Sequence, residues 1–187
     1  MELKNGQYEI GGLSVLDLCD RYDAPLYVYD LATMESQYNR LKNAFKHTRM
    51  KVMYACKALT NLSVLKFFKQ MGSGVDTVSI QELHIALKAG FAPENIMFTP
   101  NCVSFEEIQE AVSYGVNINI DNISILEQFG NTYGDSVPVC IRLNPHIFAG
   151  GNPKISVGHI DSKFGISVHQ MRHVHRVVKS SGLKVIG

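Results

Sequence analysis

The sequence predicts an α/β protein built on a parallel sheet, and three observations predict it. Short β-branched or apolar runs at residues 52–55, 74–78, 96–99, 116–121 and 137–143 have centres about 21 to 23 residues apart, the length of one strand, one helix and two short loops. Ser79-x-x-Glu82, Ser104-x-x-Glu107 and Ser124-x-x-Glu127 are three capping-box patterns in phase with that period. Gly72, Gly90, Gly115 and Gly130 fall where four helices would end, each tolerant of positive φ.

The elements follow in order. Residues 8–13 and 25–29 read as short strands around a helix over 14–22. Leu31, Met34, Tyr38, Leu41 and Phe45 form an apolar stripe at helical spacing, which predicts a core-facing helix. The five strand and helix units then begin at residue 52. A longer loop, 144–165, contains Gly150-Gly151-Asn152-Pro153. A helix over 168–179 leads to Leu183-Lys184-Val185-Ile186-Gly187, the start of a sixth strand. Such a series gives right-handed parallel crossovers, in an open doubly wound sheet or a closed (β/α) barrel. Gly72-Ser73-Gly74 is a lone GxG with no GxGxxG or GxxxxGK[ST] fingerprint anywhere, so a helix end explains Gly72 better than a nucleotide does.

Composition narrows the function classes. The chain has 187 residues, 45% of them hydrophobic and 19% charged, with a formal net charge of +1. That is long enough for one substantial core and carries no basic excess for nucleic acid. No apolar run approaches the roughly 18 residues of a membrane helix, and Met1-Glu2-Leu3-Lys4-Asn5-Gly6 lacks a secretory pattern. Cys19, Cys56, Cys102 and Cys140 show no CxxC spacing, which reads as reduced thiols in a cytoplasmic protein without a zinc site. His169 and His173, four apart, have no third ligand beside them and read as a solvated helix face. His159 lies in the long loop with no assigned task.

Chemistry in parallel α/β folds collects at the carboxyl ends of the strands. Those ends carry Lys57, Asp76, Thr99, Asp121, and Arg142 with Asn144. Lys57, in Tyr54-Ala55-Cys56-Lys57-Ala58, follows an apolar run, and partial desolvation there would favour the neutral amine that attacks a carbonyl. Asp121 can also be read as capping the next helix, and Arg142 as pairing with a strand acid.

These residues stand in a recognisable order. Pro25-Leu26-Tyr27-Val28-Tyr29-Asp30, the Tyr-Ala-x-Lys-Ala element at 54–58, and Gly72-Ser73-Gly74-Val75-Asp76-Thr77-Val78-Ser79 with Glu82-Leu83 come first. Ile118-Asn119-Ile120-Asp121-Asn122, Ile141-Arg142-Leu143-Asn144-Pro145 and Ser162-Lys163-Phe164-Gly165-Ile166 follow. In these motifs the chain resembles the amino-terminal part of diaminopimelate decarboxylases. These belong to the class II ornithine, lysine and arginine decarboxylases, pyridoxal-phosphate (PLP) enzymes of the alanine-racemase-like fold.

The resemblance implies an incomplete (β/α)8 TIM-type barrel, about five βα units plus the start of a sixth strand. Residues 1–29 would be a lead-in belonging to a β-rich second domain, and residues 30–187 the first part of the PLP-binding barrel. It implies that Lys57 carries PLP as a Schiff base and that Asp76 and Arg142 lie beside the cofactor or the lysine. The reaction would be decarboxylation of meso-2,6-diaminopimelate to L-lysine in a cytoplasmic homodimer acting on a small amino acid, with no metal, membrane or nucleic acid involved. Ornithine or arginine as substrate, and a non-catalytic PLP-binding barrel, are the alternative readings. Ala58-Leu59-Thr60-Asn61 after the lysine argues against alanine racemisation. The chain departs from the family at Val157-Gly158, where a Thr-Gly pair is usual, and at Gly150-Gly151-Asn152, where a histidine is common. Family members are much longer, so these residues are expected to be a fragment, inactive alone.

Overall fold

In the computed structural model the chain falls into two units, Met1–Met50 and Lys51–Gly187, with residues 1–147, 158 and 162–187 described. Gly150-Gly151-Asn152-Pro153, Val157 and His159 lie outside the described residues.

The first unit begins with a three-stranded antiparallel sheet of β1 (Glu2–Lys4), β2 (Gln7–Ile10) and β3 (Leu13–Ser14). Asn5-Gly6 and Gly11-Gly12 make its two-residue turns, all four residues at positive φ, which suits the twist of a tight hairpin. The single strand expected over 8–13 is therefore two strands broken by a Gly-Gly turn. Ser14 caps α1 (Val15–Tyr22), accepting from the Asp17 N–H. Residues 25–29 join no sheet, in contrast to the strand expected there. Asp30 caps α2 (Leu31–Ala44), its two carboxylate oxygens accepting from the Thr33 N–H and hydroxyl. On the apolar stripe of α2 only Tyr38 is buried. Leu31, Leu41 and Phe45 remain nearly half exposed, so the core-facing reading holds for one residue among these.

The second unit is the parallel sheet. Strands β4 (Met53–Ala55), β5 (Gly74–Thr77), β6 (Ile96–Phe98), β7 (Asn117–Ile120) and β8 (Val139–Ile141) pair in sequence order, all parallel. Residues 184–187 continue that order. Val139 and Ile141 N–H groups donate to Lys184 and Gly187 carbonyls, and Ile186 N–H donates back to Val139, each at 3.0 Å. Beyond β8, β9 (Leu143–Asn144) pairs in parallel with β10 (Ile166–Ser167).

Helices α3 (Leu62–Gln70), α4 (Ile80–Lys88), α5 (Phe105–Ser113) and α6 (Ile123–Tyr133) fill the intervals, and α7 (Met171–Ser181) follows a 3-10 turn at Val168–Gln170. The strands present alternate residues to those helices. Val75, Ile96, Phe98, Ile118, Ile120 and Val139 are buried with Leu65, Leu83, Ile108, Leu126 and Phe129.

The caps sort the three sequence patterns. Ser104 and Glu107 make the full reciprocal box on α5. Ser79 caps α4, while Glu82 reaches one residue further back, to the Val78 N–H at 2.9 Å. Ser124 is not a cap. Asn122 caps α6 by accepting the Ile125 N–H at 2.9 Å, and Ser124 donates to the same Asn122 oxygen. Gly72, Gly90 and Gly115 turn the chain at positive φ as expected. Gly130 instead lies buried inside α6, because a Cβ there would meet Ser181 Oγ of α7 at 2.6 Å and its Cβ at 2.7 Å. Helix α6 stops at Gly134 (φ 54°). Among the described residues no helix is long and apolar enough to cross a membrane.

Candidate cofactor and active site

A cleft of about 580 Å³ opens at the carboxyl ends of the parallel strands. Its floor comes from strand residues of the opposite parity to the helix-facing core: Met53, Ala55, Asp76, Met97 and Asn119. Lys57, Thr99, Asn101 and Arg142 line the rim, with Lys163 and Phe164 from the loop before β10. The structure thus brings Lys57, Asp76 and Arg142, predicted from three separate strand ends, to one place.

Lys57 sits in a single 3-10 turn, Cys56–Ala58, directly after β4. The turn is closed by the Leu59 N–H to Cys56 carbonyl bond (3.1 Å) and braced by the Tyr54 hydroxyl, which donates to the Leu59 carbonyl at 3.1 Å. The Tyr54 ring stacks on Phe68 of α3 at 4.3 Å. Cys56 is fully buried, and burial, with the Glu82 and Asp76 charges behind it, pushes its thiol up to about 11, so it serves as a packing anchor. Lys57 points the other way and is exposed, so the partial desolvation expected of it is not supplied by these residues.

Asp76, the penultimate residue of β5, accepts a 2.5 Å hydrogen bond from the Thr99 hydroxyl. Burial raises its carboxyl above the usual aspartate range, while the Thr99 bond and the Arg142 and Lys57 charges pull it back. Asn119 Nδ2 donates to the same Thr99 oxygen at 3.4 Å, and Asn119 Oδ1 is buried without a partner. Arg142, just past β8, is held by its N–H to the Ile120 carbonyl (2.8 Å) and by the Phe164 ring, 4.6 Å from its guanidinium carbon. Lys163 Nζ lies 5.3 Å from the centre of the same ring.

The other rim candidates organise loops. Asp121 accepts from Asn101 Nδ2 at 2.5 Å and from Asn122 Nδ2 at 3.2 Å. Buried Asn144 accepts the His146 N–H at 3.0 Å. His169 packs edge-on to His146, whereas His173 bonds Glu127 at 2.9 Å, so the two do not share a ligand. Sequence reasoning missed Asn119 and Asn101. For Asn119 a signal existed, since an amide between Ile118 and Ile120 in a strand marks the face opposite the core.

The sequence model of the family described as "Pyridoxal-dependent decarboxylase, pyridoxal binding domain" matches residues 31–187. Among curated relatives, the diaminopimelate decarboxylase of Methanothermobacter thermautotrophicus is 38% identical over 97% of this chain and 43% of its own length. That of Bacillus subtilis is 34% identical over 98% of this chain and 44% of its own. A crystal structure of diaminopimelate decarboxylase from M. jannaschii in complex with L-lysine is similar over 100% of this chain and 46% of that one, with a TM-score of 0.85 at 31% identity. A lysine/ornithine decarboxylase from Vibrio vulnificus, complexed with putrescine, is similar with a TM-score of 0.75 at 25% identity, over 92% of this chain and 43% of that one. The chain spans less than half the length of these relatives.

Proposed function

This chain belongs to the pyridoxal-dependent decarboxylases through their pyridoxal-binding domain, and on that premise we propose that it serves a PLP-dependent carboxy-lyase converting meso-2,6-diaminopimelate to L-lysine and CO2. The observation that carries the proposal is the convergence of Lys57, Asp76 and Arg142 on one cleft. The named activity of relatives 30–38% identical over most of this chain favours diaminopimelate over ornithine or arginine.

The residues present fit the cofactor. The cleft has the volume of an ordinary small-molecule site and offers one amine, an arginine and a second lysine toward an anion. It also offers a buried amide oxygen, Asn119 Oδ1, that lacks a donor. Bound PLP would supply a carbonyl for an amine and a ring system that accepts the electron pair left as CO2 departs. Lys57 Nζ would hold the cofactor until the amino acid's own amine takes its place. Asp76 would offset the cationic Lys57 and Arg142 and keep the region near the lysine from accumulating positive charge. Arg142, propped on Phe164, would present a fixed cation to an anionic group of the ligand. Met53, Ala55 and Met97 would give the floor an apolar surface that limits water.

At the level of the whole enzyme, residues 1–29 would belong with a β-rich domain and residues 30–187 with the barrel, in a cytoplasmic homodimer. All four thiols stand unpaired in the fold, which supports a reducing compartment. The test is a comparison of CO2 release by the enzyme as encoded. Turnover of meso-diaminopimelate should exceed that of ornithine and arginine by about a hundredfold or more in kcat/KM. Faster turnover of ornithine or arginine would reject the substrate assignment.

A further inference from the structure

Asp76 is the one carboxylate lining the cleft among the described residues, against three cationic side chains. Its hydrogen bonds run across three neighbouring strands, from β5 through Thr99 after β6 to Asn119 on β7. The chemistry fixes the direction of that chain. An ionised carboxylate only accepts, so the single Thr99 proton goes to Asp76 Oδ1. The Thr99 oxygen then accepts from Asn119 Nδ2, and this orients the amide with Oδ1 as the unpartnered atom.

Thr77 gives the contrast. It is equally a buried threonine at the sheet's carboxyl end, but its hydroxyl donates to a backbone carbonyl, that of Met97, at 3.1 Å. Thr99 is 8% exposed, and its hydroxyl goes instead to the one carboxylate of the cleft.

We propose that Thr99 is a positioning residue of this site, holding the ionised Asp76 carboxylate in one pose beside Lys57 and Arg142, with Asn119 fixing the Thr99 hydroxyl in turn. The proposal rests on the reading of the cleft as the cofactor site. A carboxylate facing several cations has several poses of similar energy, and one short neutral hydrogen bond selects among them without cancelling the charge. The charged and titratable groups that act on Asp76 are Lys57 and Cys56 from the turn after β4 and Arg142 from beyond β8, while Lys163, from the loop before β10, lines the same cleft. From β6 and β7 come the neutral Thr99 and Asn119. Of the influences that oppose burial at this carboxyl, the Thr99 bond is the largest.

The test is a carboxyl-carbon NMR titration of the unliganded protein, with Asp76 assigned through Asp76→Asn. Thr99→Val should move the Asp76 midpoint up by about one pH unit, the size of one lost hydrogen bond to a carboxylate. Thr99→Ser should restore the wild-type midpoint, and Thr77→Val should leave it unmoved. Asn119→Ala should shift it in the same direction by less. Thr99→Ala provides the same reading should the valine variant fail to fold. An unchanged midpoint in the valine or alanine variant, or no rescue by serine, would overturn the proposal. Because the titration uses no cofactor, it stands apart from the cofactor reading. A borohydride-fixed adduct on some other lysine, with the Thr99 shift intact, would sink that reading and leave Thr99's hold on Asp76 supported.

Discussion

Asp76 carries a cost in the unliganded fold. Burial raises its folded-state pKa above the unfolded value of 3.8, so between those two values the folded protein binds the extra proton. Stability therefore falls as pH climbs through that window, and the loss persists at neutral pH. Asp76→Asn should stabilise the unliganded protein at pH 7, by about 1 kcal/mol or less since the group is partly solvated, and the gain should vanish below pH 3.8. Urea denaturation of both proteins at pH 7 and near pH 3 reads this directly. A variant less stable at pH 7 would contradict it. Lys57 and Asp76 could be placed at the cleft from sequence because Lys57 follows a local apolar run and Asp76 is the polar residue toward the carboxyl end of another. Thr99's tie to Asp76 was not, because a partner on the next strand depends on register, which no single segment encodes.

At the scale of elements, phase was legible and detail was not. Ser124-x-x-Glu127 matches a capping box, but Asn122, two residues earlier, is the better acceptor and starts α6 there. Asn122→Ala should cost about 1 kcal/mol, while Ser124→Ala should stay within about 0.5 kcal/mol of wild type. Equal losses in chemical denaturation would contradict the cap assignment. Gly130 reads in sequence as a helix end, yet it is the contact point of α6 with α7. Gly130→Ala gains about 1 kcal/mol of helix propensity but must push Ser181 aside, and overpacking of about 1–3 kcal/mol should prevail. Thermal melts should show Gly130→Ala less stable than wild type, and Gly130→Ala with Ser181→Gly less impaired than the single variant.

For the whole molecule, the parallel pairing and the cleft's place at the carboxyl ends followed from the repeat length and from parallel-sheet rules, whereas the repeat left a doubly wound order open and only the family resemblance pointed to strands in sequence order. The sheet in the described residues stays open, with β4 paired on one side alone and residues 184–187 at the other edge. Closing a barrel leaves no such edge, and about 200 residues is the least that closes one. These 187 residues by themselves, given excess PLP and meso-diaminopimelate, are therefore predicted to release no CO2 above the rate of cofactor alone. Turnover near that of a complete decarboxylase would show that the open sheet suffices. The central claim is that the convergence of three strand ends makes a cofactor site anchored at Lys57. It is tested most directly by purifying the protein as encoded in the presence of PLP, reducing it with borohydride and mapping the peptides. The account predicts the pyridoxyl mass on Lys57 and its loss in Lys57→Ala. An adduct on Lys51 or Lys163 with Lys57 unmodified would contradict it.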